Sequence, residues 1–282
     1  MATLIQTLQN VLAGKDPNLS VETRRIVLKD TLQAFVLDFI YNHPTYRRMT
    51  FYGGTCLHVI YGLNRLSEDL DFDNSIHLDV GQLASDLVKY LNKYFGIQSI
   101  TAKAQEGTRG ILRVTLRFPV LYELGLSSHS SEALHLKLEL SHHKQIAEIR
   151  FTPILSYGRS LVAAHFSLET MMAGKMLACL ERSFMRGKTG IEVKGRDYYD
   201  LLWFMQQQVW PLEEKLAHDG RQPYTMPSAM KSLQDKVASI KTKDLAFDLL
   251  PMFESRQFIE VWLESFHENF NRFVGIYLTE RR

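Results

Sequence analysis

Asp69 and Asp71 lie in the run Asp69-Leu70-Asp71-Phe72, where acidic and apolar residues alternate with the period of a β-strand. On a strand, Leu70 and Phe72 point into a core and both carboxylates leave from the opposite face, about 7 Å apart at Cα. Two carboxylates beside apolar neighbours repel each other, and one of them is pushed towards protonation unless a cation lies nearby. A hard ion such as Mg²⁺, bridging the carboxylates and the phosphates of a substrate, meets that need. A solvated strand edge with incidental aspartates is the bland alternative. Upstream, Gly53-Gly54-Thr55 stands between a short apolar segment and a helical one. Glycines at such a turn let the backbone approach a phosphate, and the helix start offers it unpaired N–H donors.

Lys175 shares a helical stripe with Leu168, Met171, Cys179 and Arg182. An ammonium on a largely apolar face needs an anionic partner, which is either a ligand phosphate or a structural carboxylate such as Asp200 or Glu139. Asp197 stands at the start of a helical segment, so a helix cap is its ordinary use. Ser67 reads as a turn residue, and Arg65 can pair with a neighbouring acid or with phosphate. Arg113 and Arg117 on one strand face, with Arg182, Arg186, Lys188, Lys194 and Arg196 farther on, could line a path for an RNA backbone or be solvated charge. Tyr198, Tyr199 and Trp203 read as core aromatics before base-stacking platforms. The stripe of Phe253, Phe258, Val261, Trp262, Phe266, Phe270, Phe273 and Ile276 reads as core.

These residues must be positioned by regular elements. The three- and four-residue spacing of apolar side chains predicts a helix over 21–41, ended by Asn42, His43 and Pro44. A strand over 49–52, a glycine turn and a helix over 55–61 follow, stopped by Gly62. Strands are expected at 70–73, 110–118 and 133–141, and a helix at 80–95. The later two strands alternate cleanly, with leucines at 134, 136, 138 and 140 inward and His135, Lys137 and Glu139 outward. After about residue 161 the strand signal fades, and helices are expected over 166–182, 197–207, 227–240 and 254–277. The segment 185–196 holds three glycines and four basic residues against Glu192, the composition of a positively charged loop. The expected organisation is an α/β domain over 1–160 and a helical domain over 161–282.

The 282 residues are 45% apolar and 23% charged, which is ordinary globular composition. Thirty-three Lys and Arg against thirty-one Asp and Glu leave a net charge of +2, so no global field draws the chain onto nucleic acid or anionic lipid and any basic site must be local. Two cysteines, Cys56 and Cys179, exclude a disulfide framework and fit a reducing compartment. No apolar run is long enough to cross a bilayer, and the first residues lack a basic segment followed by an apolar one. The reading is a cytoplasmic protein without a membrane partner.

The combined string is more specific than its parts. Gly53-Gly54-Thr55, then Leu57-x3-Tyr61-Gly62, then Arg65-x-Ser67-x-Asp69-Leu70-Asp71-Phe72 resembles the polymerase-β-like nucleotidyltransferases, and within them the AbiEii family of type IV toxins that includes the mycobacterial MenT proteins. Lys175 in Ala-Gly-Lys-Met-Leu-Ala, and Arg196-Asp197-Tyr198-Tyr199-Asp200-Leu201, extend the resemblance over about 51–204. It implies an α/β (α+β) fold, with a polymerase-β-like N-terminal domain built on a mixed sheet and a helical C-terminal domain contributing to the active-site cleft. It implies Mg²⁺-dependent transfer of a nucleotide from an NTP to RNA, the 3′ end of tRNA being one acceptor in the family, and a cognate antitoxin as partner. Asp69 and Asp71 would be catalytic metal ligands, with Glu139 on a neighbouring strand as third carboxylate. Gly53, Gly54, Thr55, Arg65, Ser67 and Lys175 would hold the nucleotide, and Asp197 would be an essential carboxylate. Arg186, Lys188, Lys194 and Arg196 would contact RNA. The rival readings are NTP-dependent modification of a protein hydroxyl, Ser67 itself included, and a binding module that keeps the fold without catalysis. A dead member would be expected to have lost one of Asp69, Asp71, Lys175 or Asp197.

Overall fold

A computed structural model describes residues 3–106, 111–141, 144–182 and 193–280. The chain divides into two compact units, Met1–Lys144 with Ile149–His165, and Gln145–Glu148 with Phe166–Arg282.

The first unit is built on a seven-stranded mixed sheet. Its elements are α1 (Leu4–Ala13), α2 (Val21–Asn42), β1 (Thr50–Tyr52), α3 (Gly53–Tyr61), β2 (Asp69–Asp73), α4 (Val80–Phe95), β3 (Thr101–Glu106), β4 (Leu112–Phe118), β5 (Leu134–Ser141), β6 (Ile149–Ser156) and β7 (Arg159–Phe166). The strand order is β3-β4-β5-β2-β1-β7-β6. β2 runs parallel to β5 and β1 parallel to β7, while β1–β2, β3–β4 and β4–β5 are antiparallel. Alternation places Leu70 and Phe72 of β2, Val114 and Leu116 of β4, and the four leucines of β5 in the core. Helices α2 and α4 pack over β3, β4 and β5. Both begin with a side-chain cap, Ser20 accepting from the Thr23 N–H and Asp79 from the Gln82 N–H. Gly62 and Gly96 end α3 and α4 in the left-handed conformation at φ 74° and 65°, where a side chain would be strained.

The expected elements of this unit are present, with α3 starting at Gly53 itself rather than at Thr55. β3, β6 and β7 carry no strand signal of the kind seen in β5. β3 is an edge strand with exposed Thr101, Lys103 and Gln105, β6 is an edge strand containing Pro153, and β7 continues to Phe166, beyond the point where alternation fades. Apolar alternation marks a strand only where one face is buried.

The second unit is helical, with α5 (Leu168–Glu181), α6 (Gly195–Gln206), α7 (Glu213–His218), α8 (Met226–Ala238), α9 (Thr242–Leu249) and α10 (Arg256–Thr279). Met172, Met176, Leu202, Phe204, Leu233 and Phe270 are fully buried within it. Lys215 fastens Gln145–Glu148 to α7: its ammonium donates to Gln145 Oε1 at 3.2 Å and to the Ile146 carbonyl at 3.3 Å, and it pairs with Asp219 at 2.6 Å. Tyr198 and Tyr199 are core aromatics as expected, Tyr199 packing against Phe253 and Trp262. The C-terminal stripe is shifted from its expected line. Phe258, Val261 and Ile276 are exposed, whereas Ile259, Leu263, Phe266, Phe270, Val274 and Tyr277 are buried, because the continuous three- and four-residue rhythm runs through the latter set. Among the described residues no helix is long and apolar enough to cross a membrane, and both cysteines are free and buried.

Candidate active site

β2 delivers Asp69 and Asp71 half-buried to one face of the sheet, as their alternation requires. Asp71 lies opposite Tyr52 of β1 and Glu139 of β5, and Asp69 opposite Lys137. The chain leaves β1 and turns into α3 at Gly53, at φ 83°. A Cβ on Gly53 would stand well inside van der Waals contact distance of Asp71 Oδ2. A Cβ on Gly54 would lie 2.5 Å from Arg65 Nη2 and 3.0 Å from Ser67 Oγ. The glycine turn is therefore closed upon by Asp71 on one side and by Arg65 and Ser67 on the other, and neither glycine can be replaced without a shift.

Thr55 supports this arrangement from beneath. It is buried, and its hydroxyl donates to the Asp69 carbonyl at 2.6 Å, tying the first turn of α3 to the head of β2. Arg65 is 2% exposed and its Nη1 donates to the Leu66 carbonyl at 2.9 Å, while Gln33 Nε2 donates to the Ser67 carbonyl at 3.0 Å. Burial raises the pKa of Asp69, with Glu68 and Glu139 acting in the same direction and Lys137 and Lys29 opposing them. Cys56 is pushed well up by burial and then by Asp71.

Glu139 shares the face with Asp71, but its Oε1 already accepts from Arg113 Nε at 3.1 Å and Nη2 at 2.6 Å. Nothing in the linear spacing of Arg113 and Glu139 announces this pair, since cross-strand neighbours are visible only once the β4–β5 register is known. Among the described residues no group of three His, Cys, Asp or Glu side chains is arranged to hold a metal ion by itself. Mg²⁺ does not require one, because it commonly takes one or two carboxylates and completes its shell with water and substrate phosphates. The oxygen donors of Asp69 and Asp71, with a side-chain-free turn against Asp71, fit that ion.

A second cluster is formed within the helical unit. Lys175 on α5 pairs at 2.7 Å with both Asp197 Oδ1 and Asp200 Oδ2 on α6. Arg182, seven residues along the same face, reaches Asp197 Oδ2 at 2.7 Å. Both aspartates are buried, at 3% and 0% exposure. The capping reading of Asp197 does not hold. Lys194 occupies the cap position without a side-chain cap bond, and the Asp197 carboxylate is spent on Lys175 and Arg182. Burial acts to raise the pKa of Asp197, but Lys175, Arg182 and Lys194 together hold it well below the ordinary carboxylate range. Lys194 is shifted down by burial, reinforced by Arg196, Lys175 and Arg182 and opposed by Asp197.

The expected RNA contacts divide. Lys194 lines a small pocket with Arg182, Asp197 and Lys236. The Arg196 backbone N–H and Nε both donate to Asp248 Oδ2, at 3.0 and 3.3 Å. Arg186 and Lys188 lie outside the described residues.

Residues 37–277 match the sequence profile described as "Nucleotidyl transferase AbiEii toxin, Type IV TA system". The chain belongs to the AbiEii family. It is thus a nucleotidyltransferase of a toxin–antitoxin class, for which an NTP substrate and an antitoxin partner are implied. The fold of this AbiEii chain is also that of two solved structures. One is JHP933 from Helicobacter pylori, with a TM-score of 0.55 at 20% identity over 93% of this chain and 94% of that one. The other is a provisionally assigned nucleotidyltransferase from H. pylori, with a TM-score of 0.51 at 20% identity over 89% and 96%. No curated protein matches the chain.

Proposed function

We propose that this AbiEii chain transfers a nucleotide from an NTP to a hydroxyl of RNA, the 3′ end of tRNA being the acceptor class favoured by the resemblance, with Mg²⁺ held by Asp69 and Asp71. One observation carries the reading: two carboxylates, a glycine turn, a buried arginine and a serine converge where β2 meets α3. When bound, the ion supplies positive charge against the triphosphate. The N–H groups at the start of α3 bind phosphate oxygens, and Arg65 beside Gly54 adds a fixed positive charge. The resemblance gives Lys175 nucleotide phosphates as its ligands, and Asp197 orients the lysine through their ion pair. The acceptor oxygen bonds to the α-phosphorus as the bond to the β-phosphate oxygen breaks, pyrophosphate departs, and the hydroxyl proton passes to solvent. In-line transfer of this kind depends on positioning and charge more than on covalent help from the protein.

The test is incubation with total RNA and each α-labelled NTP in turn, with Mg²⁺ or with chelator. Labelled RNA is expected with Mg²⁺, and none with chelator or with Asp71→Ala. A labelled protein band with unlabelled RNA would move the acceptor to a protein hydroxyl and overturn the reading.

A further inference from the structure

The strand registers extend the face that bears Asp69 and Asp71 across three more strands. Residues paired across neighbouring strands put their side chains on the same side of a sheet. One row therefore runs Asp69, Lys137, Thr115, Lys103 from β2 to β3, and a second runs His135, Arg117, Thr101 beside it. With strands about 4.8 Å apart, the row carries positive charge to about 14 Å from Asp69 at Cα. Lys103, Arg117 and Lys137 are exposed. Arg117 donates to the Ser131 carbonyl, whereas Arg113 is spent on Glu139. The His135 imidazole is pushed down by burial and then by Arg117, Lys29 and Lys137, as expected where positive charge accumulates. The opposite face of these strands is core, covered by α2 and α4.

We infer that the face of β5, β4 and β3 is a phosphate track, on which Lys137, Arg117 and Lys103 hold the backbone of the acceptor RNA strand leading to Asp69 and Asp71. The inference rests on the RNA-acceptor reading for its ligand and adds a location to it. Charge complementarity selects the occupant, because the chain as a whole carries only +2 while these three cations are contiguous with the candidate catalytic carboxylates. Neither row contains a Phe, Tyr or Trp side chain, so bases have no broad stacking platform and the track holds RNA through phosphate, without regard to sequence.

The test is the salt dependence of binding of a fluorescent single-stranded 12-nucleotide RNA, in oligo(U) and oligo(A) versions. Replacing Lys103, Arg117 and Lys137 together by Ala should flatten the plot of log affinity against log salt by about two, near 0.7 for each phosphate of a single strand that is no longer neutralised. Lys89→Ala, on α4, should leave the slope unchanged. Binding of a fluorescent NTP by the triple variant reports that the turn and carboxylates remain intact, and Lys103→Arg alone should keep the wild-type slope. An unaltered slope in the triple variant, an equal flattening in Lys89→Ala, or wild-type protein that binds neither RNA would overturn the track. Failure of the reading beneath it looks different: RNA bound with the expected slope, yet labelled by no NTP.

Discussion

Gly53 has no room for a methyl group, and that constraint says more about the site than the carboxylates do alone. Its φ of 83° and the Asp71 oxygen above it act together. Gly62 shares the left-handed backbone, at φ 74°, but a methyl group added there would meet nothing within 4 Å. Gly62→Ala is therefore expected to cost about 1–2 kcal/mol of backbone strain and keep transfer. Gly53→Ala should add a displaced Asp71 and lose transfer, and equal activity of the two variants would remove Asp71 from the reaction. Asp69 gives a second prediction. Its raised pKa means that the fold disfavours the ionised form, a penalty absent below the unfolded pKa and growing as pH rises towards the folded one. Asp69→Asn should melt higher than wild type at neutral pH without metal, lose that advantage near about pH 3, and be inactive in transfer. A variant that melts lower at neutral pH would show that the carboxylate is held by structural partners.

At the scale of elements, α5 and α6 carry an ion cluster whose two sides were unequally legible. The stripe from Leu168 to Arg182 places Lys175 and Arg182 on one face, seven residues apart, and demands an anion. Which aspartate answers depends on where α6 begins, and helix starts are among the least determined features of a sequence; with Gly195 first in the helix, Asp197 falls too far in to cap. This changes what Asp197→Asn should do. A mere cap would be spared by asparagine, whereas Asp197 balances two cations, so its loss should destabilise by about 3–5 kcal/mol, the cost of breaking a buried ion pair. Because the folded pKa is depressed, the stabilisation is present above the unfolded carboxylate pKa and is lost as pH falls through the folded value. The gap between Asp197→Asn and wild type in urea melts should therefore close in acid, and a gap independent of pH would refute the ion-pair account. Lys175→Ala takes a cationic partner from both Asp197 and Asp200, so it should weaken folding, and under the proposed role of this lysine it should weaken NTP binding as well. β5 was legible for the opposite reason to β3 and β6: its leucines face a core and its polar residues do not, while the edge strands bury too little to leave a pattern.

For the whole molecule, a net charge of +2 over 282 residues means that recognition of an anionic partner must come from local arrays, and sequence alone pointed to Arg113 and Arg117 on one strand face and to the segment at 185–196, without Lys137 or Lys103. The rows on β3, β4 and β5 exist only through register, which no single stretch of sequence encodes. The division into two compact units makes a calorimetric prediction about the carboxylates. A ligand that binds only the folded state stabilises it by mass action, about 2.7 kcal/mol at a hundredfold excess over Kd. For a cooperative unit of about 150–250 residues each kcal/mol raises Tm by about 2–4 °C, so Mg²⁺ with NTP should raise the transition of the unit containing β2 by about 5–10 °C. Asp71→Ala should abolish that shift, and Gly62→Ala should retain it from a lower starting Tm, since only the first of these removes an oxygen donor. Under the proposed role of Lys175 at the triphosphate, Lys175→Ala should reduce the shift. A shift of wild-type size in Asp71→Ala would mean that Asp71 holds neither the ion nor the nucleotide, whatever the activity of that variant.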